Sequence, residues 1–321
     1  MPRVGVVGAT GVVGRVALEL LAQRGYKDVR AFASSRSAGS TVGGLTVEEA
    51  TPEALSAGDL DLCLFSIGTQ ASKELVPHAV RGGAMCVDKS AAFRLEPGIP
   101  LVVPEVNGER AVEHDGIVAN PNCSTIPLTL VLKPLHEAAG LRAVRVATYQ
   151  SKSGAGDETL QRFLAEEPGE HDLAMDWPYD GEDFEDESKL REETRKIMEL
   201  PELPVSVTCI RVPVPVGHAE SVWIETEEPL APARARELLA AAPSVRLDDF
   251  PTPGKAAGGD EMLVGRIRRD PAAENGLSLF LACDNLRKGA ALNGIQIAEL
   301  LLETDAVPSG QVRGSDTRAR V

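Results

Sequence analysis

The sequence predicts an α/β protein in two parts, a parallel-sheet unit followed by a mixed-sheet unit. Three observations carry this. The first half alternates short apolar runs with helical patterns, as βαβ units do. The opening run, Val4–Val7, passes directly into a glycine-rich turn and then a helix. From about Ala143 the strands lengthen and alternate apolar with polar residues, which suits a mixed or antiparallel sheet.

Taken in order, Val4–Val7 reads as a strand and Gly14–Arg24 as a helix, with Val16, Leu20 and Leu21 on one side and Gly25 ending it. Val29–Ala33, Leu60–Ser66, Met85–Asp88 and Ile117–Ala119 follow as strands. Their short apolar character fits strands covered on both faces. In the second half, Ala143–Ser151, Val205–Val212, Ser221–Thr226, Gly259–Arg268 and Ser278–Ala282 read as strands. Ser188–Met198, Ala231–Ala242 and Gly289–Glu303 read as helices, and a polar tail follows Asp305.

Composition bounds the function. The 321 residues suffice for one large α/β unit or two cores, and 43% hydrophobic with 25% charged residues is ordinary for a globular chain. No run approaches the ~20 apolar residues that span a bilayer. Met1-Pro2-Arg3-Val4 runs into a strand without a signal-peptide pattern, so a cytoplasmic location is expected. The net charge of -15 argues against nucleic acid and against anionic membranes as partners. A phosphate-bearing substrate would need Lys and Arg gathered locally. The 5 cysteines are scattered, without C-x-x-C, which speaks against a disulfide framework and a zinc ribbon; no metal site is expected. Most should be buried free thiols. Asp176, Asp180, Glu182, Asp183, Glu185, Asp186 and Glu187 crowd one segment, which reads as a solvated loop leading into a helix.

Between the first strand and helix, Gly8-Ala-Thr10-Gly11-Val12-Val13-Gly14 is a G-x-x-G-x-x-G turn. Glycines let the backbone approach a pyrophosphate, and the helix start supplies free N–H groups, so a dinucleotide is expected here. An NAD site places Asp or Glu after the second strand to hold the ribose 2′-OH. Here stands Ser34-Ser35-Arg36-Ser37, a cation among hydroxyls, which suits a 2′-phosphate and favours NADP(H).

Asn120-Pro121-Asn122-Cys123-Ser124-Thr125 hands a strand over to a helix running to about Ala139, with Pro134 expected to kink it. A thiolate there would face the helix N-terminus, which lowers its pKa, and the amides with Asn122 could hold an oxyanion. Locally, a reactive thiol and a buried structural one are both open readings.

The stretch Asn120–Thr125 resembles the nucleophile motif of the aspartate-semialdehyde dehydrogenase family. Further similar stretches follow in order: Gly8–Gly14, Ser34–Gly39, Val87–Arg94, Pro100–Asn107, Thr148–Gly156, Arg211–Glu220 and Asp284–Glu299. They span residues 4–300. The resemblance implies a Rossmann-type NADP-binding domain (1–122 and 287–304) and an α+β catalytic and dimerisation domain (123–286), glyceraldehyde-3-phosphate-dehydrogenase-like, with 305–321 as the tail. It implies a homodimer or homotetramer.

The resemblance assigns Cys123 as nucleophile and His218 as its acid/base partner; an imidazole near pKa ~6.5 suits that exchange. Taken alone, His218 reads more often as structural than catalytic, and Arg94 and Lys189 as surface cations. By resemblance Arg211 takes the substrate carboxylate, Gln150 orients the reacting carbonyl, Asn122 and Asp186 contact substrate, and Arg94 and Lys189 take phosphate. Ser153, Gly154 and Asn285 join the NADP site. The implied reaction is NADPH-dependent reductive dephosphorylation of 4-phospho-L-aspartate to aspartate 4-semialdehyde, releasing inorganic phosphate, in lysine, threonine and methionine biosynthesis. N-acetylglutamyl phosphate reduction and a non-catalytic NADP-binding paralogue are the alternatives. The chain departs from the family pattern at Lys89, where Asn is usual, at Ser66–Gln70, and across His171–Glu187, where a Phe-Asn-x-Ile-Pro-Gln stretch is replaced by an acidic one.

Overall fold

The structure, a computed structural model, describes residues 2–305. The expected tail thus lies, but for Asp305, outside the described residues. Two sheets organise the chain. The first contains β1 (Val4–Val7), β2 (Val29–Ala33), β3 (Thr41–Val42), β4 (Leu45–Glu49), β5 (Leu62–Phe65), β6 (Met85–Asp88) and β7 (Ile117–Ala119), in the order β3-β4-β2-β1-β5-β6-β7. All neighbours are parallel except β3 and β4, a hairpin turned at Gly43-Gly44 that the apolar pattern does not announce. Every residue of β1 and β5 is buried, as expected of strands covered on both faces.

The second sheet contains β8 (Leu141–Gln150), β9 (Val205–Arg211), β10 (His218–Thr226), β11 (Val245–Leu247), β12 (Met262–Arg269) and β13 (Gly276–Cys283), in the order β11-β12-β13-β10-β8-β9. It is mixed, with β8–β9 and β11–β12 parallel and the remaining pairs antiparallel. The helices Thr125–Ala139, Glu185–Met198 and Pro232–Ala241 pack on one face, where Leu128, Leu132, Leu190, Leu239, Val222 and Leu279 share a core. On the other face lie the half-buried rings Tyr149 and Phe280, 6.0 Å apart.

The helix Leu292–Asp305 returns to the first sheet, burying Ile295, Ile297 and Leu301 against Val4, Val6 and Leu62. A wide turn at Arg287–Ala291 precedes it. The helix Thr125–Ala139 runs through Pro134 without a break. Its buried faces supply the packing that holds the helix where the ring removes one hydrogen bond. The helix expected from Ser188 begins about one turn earlier, at Glu185, so Lys189 lies within it.

The acidic segment is not simply solvated. Asp186 and Glu187 are buried, Glu187 accepting from the backbone N–H groups of Phe184 and Cys209 at 2.8 and 2.9 Å, and Asp183 pairs with Arg191 at 2.5 Å. Charges placed at a helix start find amide and cation partners there, which charge counting alone does not anticipate.

Candidate active site

The site is assembled where the two sheets meet, at the C-terminal ends of β6 and β7 and the ends of β8, β9 and β10. After β7 the chain turns through Asn120-Pro121-Asn122 and Cys123 precedes the first helical residue, Thr125. An acid absent from the sequence-based site set ties this loop down. Glu193, 1% exposed, accepts from the Asn122 N–H at 2.7 Å, from Thr125 Oγ1 at 3.1 Å and from Arg94 Nη1 at 2.9 Å. Its signal in the sequence is an acid on the buried stripe Leu190, Thr194, Ile197 of its helix. Arg94 also donates to the carbonyls of Asn120 (3.0 Å) and Lys89 (2.5 Å). Arg94 is therefore bound into the scaffold of the loop, and donors remain on its guanidinium for a ligand.

Cys123 Sγ lies 3.3 Å from His218 Nε2 and 3.7 Å from Asn122 Oδ1. His218 opens β10 and is fully buried. Its Nδ1 accepts from the Ser151 backbone N–H at 3.0 Å, so the hydrogen-bond network assigns the proton of the neutral ring to Nε2, facing the sulfur. The ring is thereby poised as a donor to sulfur or to a nearby oxygen. Burial, then the Arg211 charge, pushes His218 down to about 3, so it is neutral near pH 7. Cys123 keeps a half-open face to a cavity, yet burial, then Asp186, pushes its thiol up to about 11. Lys89, Arg94 and Arg211 pull the other way. The helix-start argument expected a lowered thiol; desolvation outweighs it.

Arg211 ends β9 with a side chain 3% exposed. Its Nε donates to both oxygens of Asp176 at 2.9 Å, its Nη1 to the Ser151 carbonyl at 3.1 Å, and Trp177 lies 4.5 Å from the guanidinium. The acidic segment that departs from the family pattern thus covers the cation expected to bind substrate. Opposite it, Gly154 comes so close that a Cβ would stand 2.9 Å from His218 Cε1 and 3.3 Å from Arg211 Nη1. Gln150 Nε2 donates to Thr148 Oγ1 and to Asp186 Oδ2, both at 3.3 Å.

These groups surround a cavity of about 330 Å³. Of the residues expected from sequence, Arg94, Asn122, Cys123, Gln150, Gly154, Asp186 and Arg211 line it, and His218 backs it. Lys89, Asp176 and Trp177 also line it and were not among those expected. Lys189 is not brought to its wall; its ammonium pairs with Glu185 at 2.7 Å. Ser153 and Asn285 are buried behind it: Asn285 Oδ1 accepts from Gly217 N (2.8 Å), Ser151 Oγ (3.1 Å) and Ser153 Oγ (3.3 Å). Asn285 therefore anchors the turn that delivers His218.

On the other side of Lys89 lies the nucleotide-type turn. The helix Val12–Gln23 starts after Gly11 without a side-chain cap, so its first N–H groups point outward unclaimed by a cap. A Cβ on Gly14 would stand 2.1 Å from the Gly8 carbonyl, so no side chain fits there. Ser34 and Arg36 are exposed and Ser37 is half-buried beyond β2. Among the described residues Arg36 has no ion-pair partner. The turn, the uncapped helix start and the free guanidinium fit a dinucleotide carrying an extra phosphate.

Two family models match the chain: "Semialdehyde dehydrogenase, NAD binding domain" over residues 3–114 and "Semialdehyde dehydrogenase, dimerisation domain" over residues 132–288. The chain is 44% identical to the aspartate-semialdehyde dehydrogenase of Streptomyces akiyoshiensis, over 93% of this chain and 98% of that one. The chain belongs to the aspartate-semialdehyde dehydrogenase family. The Bacillus subtilis member is 40% identical over 95% of this chain and 98% of its own. Among solved structures, aspartate semialdehyde dehydrogenase II of Vibrio cholerae, complexed with ASA, superposes with TM-score 0.88 at 37% identity, covering 94% of this chain and 98% of that one. The Candida albicans member, with NADP, gives TM-score 0.78 at 27% identity, over 96% and 100% of the two chains. The two-part α/β fold expected from sequence is the fold of this family.

Proposed function

We propose that this member of the aspartate-semialdehyde dehydrogenase family reduces 4-phospho-L-aspartate to L-aspartate 4-semialdehyde with NADPH, through a thioester on Cys123. The observation that carries the reading is the Cys123–His218 contact at 3.3 Å, in a cavity that also holds Arg94 and Arg211. The Cys123 thiolate attacks the acyl carbonyl, and the C–O bond to phosphate breaks as the thioester forms. Arg94 receives the phosphoryl group with its remaining donors, while the Arg211 guanidinium holds the α-carboxylate. Asp186, at the cavity wall beside Gln150, faces the α-ammonium. Gln150 orients the carbonyl. His218 Nε2–H donates to the oxyanion formed at each tetrahedral stage and to the sulfur as it leaves.

The dinucleotide would be held by Gly8, Thr10, Gly11, Val12 and Val13 along the uncapped helix start, by Ser34, Arg36 and Ser37 at its 2′-phosphate, and by the Ser153–Gly154 turn beside Cys123. When bound, it supplies the hydride that reduces the thioester. We assign residues 1–122 and 287–304 to the nucleotide-binding domain and 123–286 to the catalytic and dimerisation domain. The chain would act in the cytoplasm as a homodimer or homotetramer, within lysine, threonine and methionine biosynthesis. Half-buried Tyr149, Trp223 and Phe280 share the face of the second sheet away from the three packed helices, an apolar surface that a second copy would cover. The test of the chemistry is Cys123→Ala, which is expected to abolish phosphate-dependent oxidation of the semialdehyde while NADP still binds; retained turnover would sink the scheme.

A further inference from the structure

Lys89 stands just past the end of β6, on a wall shared by two spaces. One is the cavity of Cys123. The other is the cleft between the glycine turn and the last helix, where Val13, Asn120 and Gly294 face it. Its ammonium makes no ion pair or hydrogen bond to any described residue. The other nearby cations are committed. Arg94 pairs with Glu193, Arg211 with Asp176, and Lys189 with Glu185.

Charged and titratable groups face the Cys123 sulfur from five elements. Lys89 and Arg94 come from the β6–β7 connection, Arg211 from the end of β9, and Asp186 from the helix Glu185–Met198. The His218 ring opens β10, and the Cys283 thiol ends β13. Asp186 opposes ionisation of the thiol, and Glu193 and Asp176 largely neutralise the two arginines. His218 already carries its proton on the nitrogen facing the sulfur, so the neutral ring takes no proton from the thiol there. A thiolate in this pocket therefore needs a cation that has no other anion to serve.

We propose that Lys89 is that cation, the counter-ion of the Cys123 thiolate. The S–H bond breaks heterolytically, the electron pair stays on sulfur, and the proton leaves through the open cavity to water. Burial pushes the Lys89 ammonium below its ordinary range and the facing Cys123 sulfur raises it again, so each favours the ionised form of the other and Lys89 acts through its charge. Among the cations that favour the ionised sulfur, Lys89 contributes most. The inference rests on the reading of Cys123 as nucleophile, but its test requires no turnover.

The test is the pH dependence of Cys123 alkylation by iodoacetamide in the full chain, with the labelled peptide identified by mass and Cys123→Ala as the blank. The other four cysteines are buried, so they react slowly. Lys89→Met is expected to move the inflection of the alkylation rate upward by about one pH unit or more, a roughly tenfold slower reaction on the acid side. Lys89→Arg is expected to restore the wild-type profile. Lys89→Gln removes the same charge and gives the same readout if the Met variant does not fold. A Met or Gln profile that superposes on wild type overturns the proposal, as does an Arg variant as slow as Met. Turnover surviving in Cys123→Ala would overturn the thioester reading alone, leaving the alkylation profile to decide the counter-ion.

Discussion

Arg211 Nε donates to both carboxylate oxygens of Asp176 at 2.9 Å, with Trp177 lying over the guanidinium at 4.5 Å. The chain's own carboxylate thus occupies the cation that the proposed chemistry reserves for the carboxylate of the substrate. Binding must displace or share that pair. Asp176→Asn is expected to lower KM for the semialdehyde about three- to tenfold, with kcat within about twofold, because a charge competing for Arg211 is removed. Steady-state kinetics read this directly; a raised KM would show instead that Asp176 binds the substrate.

Gly154 packs closely against both His218 and Arg211. A methyl group there would stand 2.9 Å from His218 Cε1 and 3.0 Å from Nε2. Gly154→Ala is expected to shift the ring off the sulfur and cut kcat about 100-fold, since misplacement by about 1 Å has that effect. The unfolding midpoint, measured alongside, should change little by comparison.

Glu220 lies on the core side of β10, fully buried, and neither carboxylate oxygen has a hydrogen-bond partner. Burial pushes its carboxyl well above the usual carboxylate range. A raised acid binds its proton in the folded state over a pH range where the unfolded chain has lost it. Stability contributed by this group therefore falls as pH rises above about 4.5. Glu220→Gln is expected to raise the unfolding midpoint at pH 8, with a gain of at least about 1.4 kcal/mol, the free energy of a tenfold change in proton affinity, and to lose that advantage at pH 4. Calorimetry at the two pH values checks both the sign and the window.

Arg36 is exposed beyond β2 and has no ion-pair partner among the described residues. Arg36→Ala is expected to raise KM for NADP about 10- to 100-fold while KM for NAD changes less than about threefold, as fits loss of a charge-assisted contact to one phosphate. Equal losses for both nucleotides would remove Arg36 from the 2′-phosphate site.

Much of the framework is legible in the chain itself. Val4–Val7, Val29–Ala33, Met85–Asp88 and Ile117–Ala119 are strands at the expected residues, because short apolar runs between glycine turns admit few other structures. The hairpin Thr41–Glu49 escapes that pattern although Gly43-Gly44 is a hairpin signal, since its two strands are short and only Val47 in them is fully buried. Apolar pattern places the start of β10 at Ser221, but the strand begins at His218. Its polar residues His218 and Glu220 are buried, and sequence pattern counts them as surface.

Local sequence was enough to specify the glycine turn, the strand-to-helix position of Cys123 and the cationic character of the β2 end, because each depends on residues within about ten positions of one another. The electrical state of the site arose only on folding. Arg211 and Asp176 are separated by 35 positions, Arg94 and Glu193 by 99, and Cys123 and His218 by 95. Which cation is neutralised, which stays free at Lys89 and which ring nitrogen faces the sulfur follow from how the two sheets meet. Coulomb energies and desolvation depend on distance in space and on burial, and neither can be read from separation along the chain.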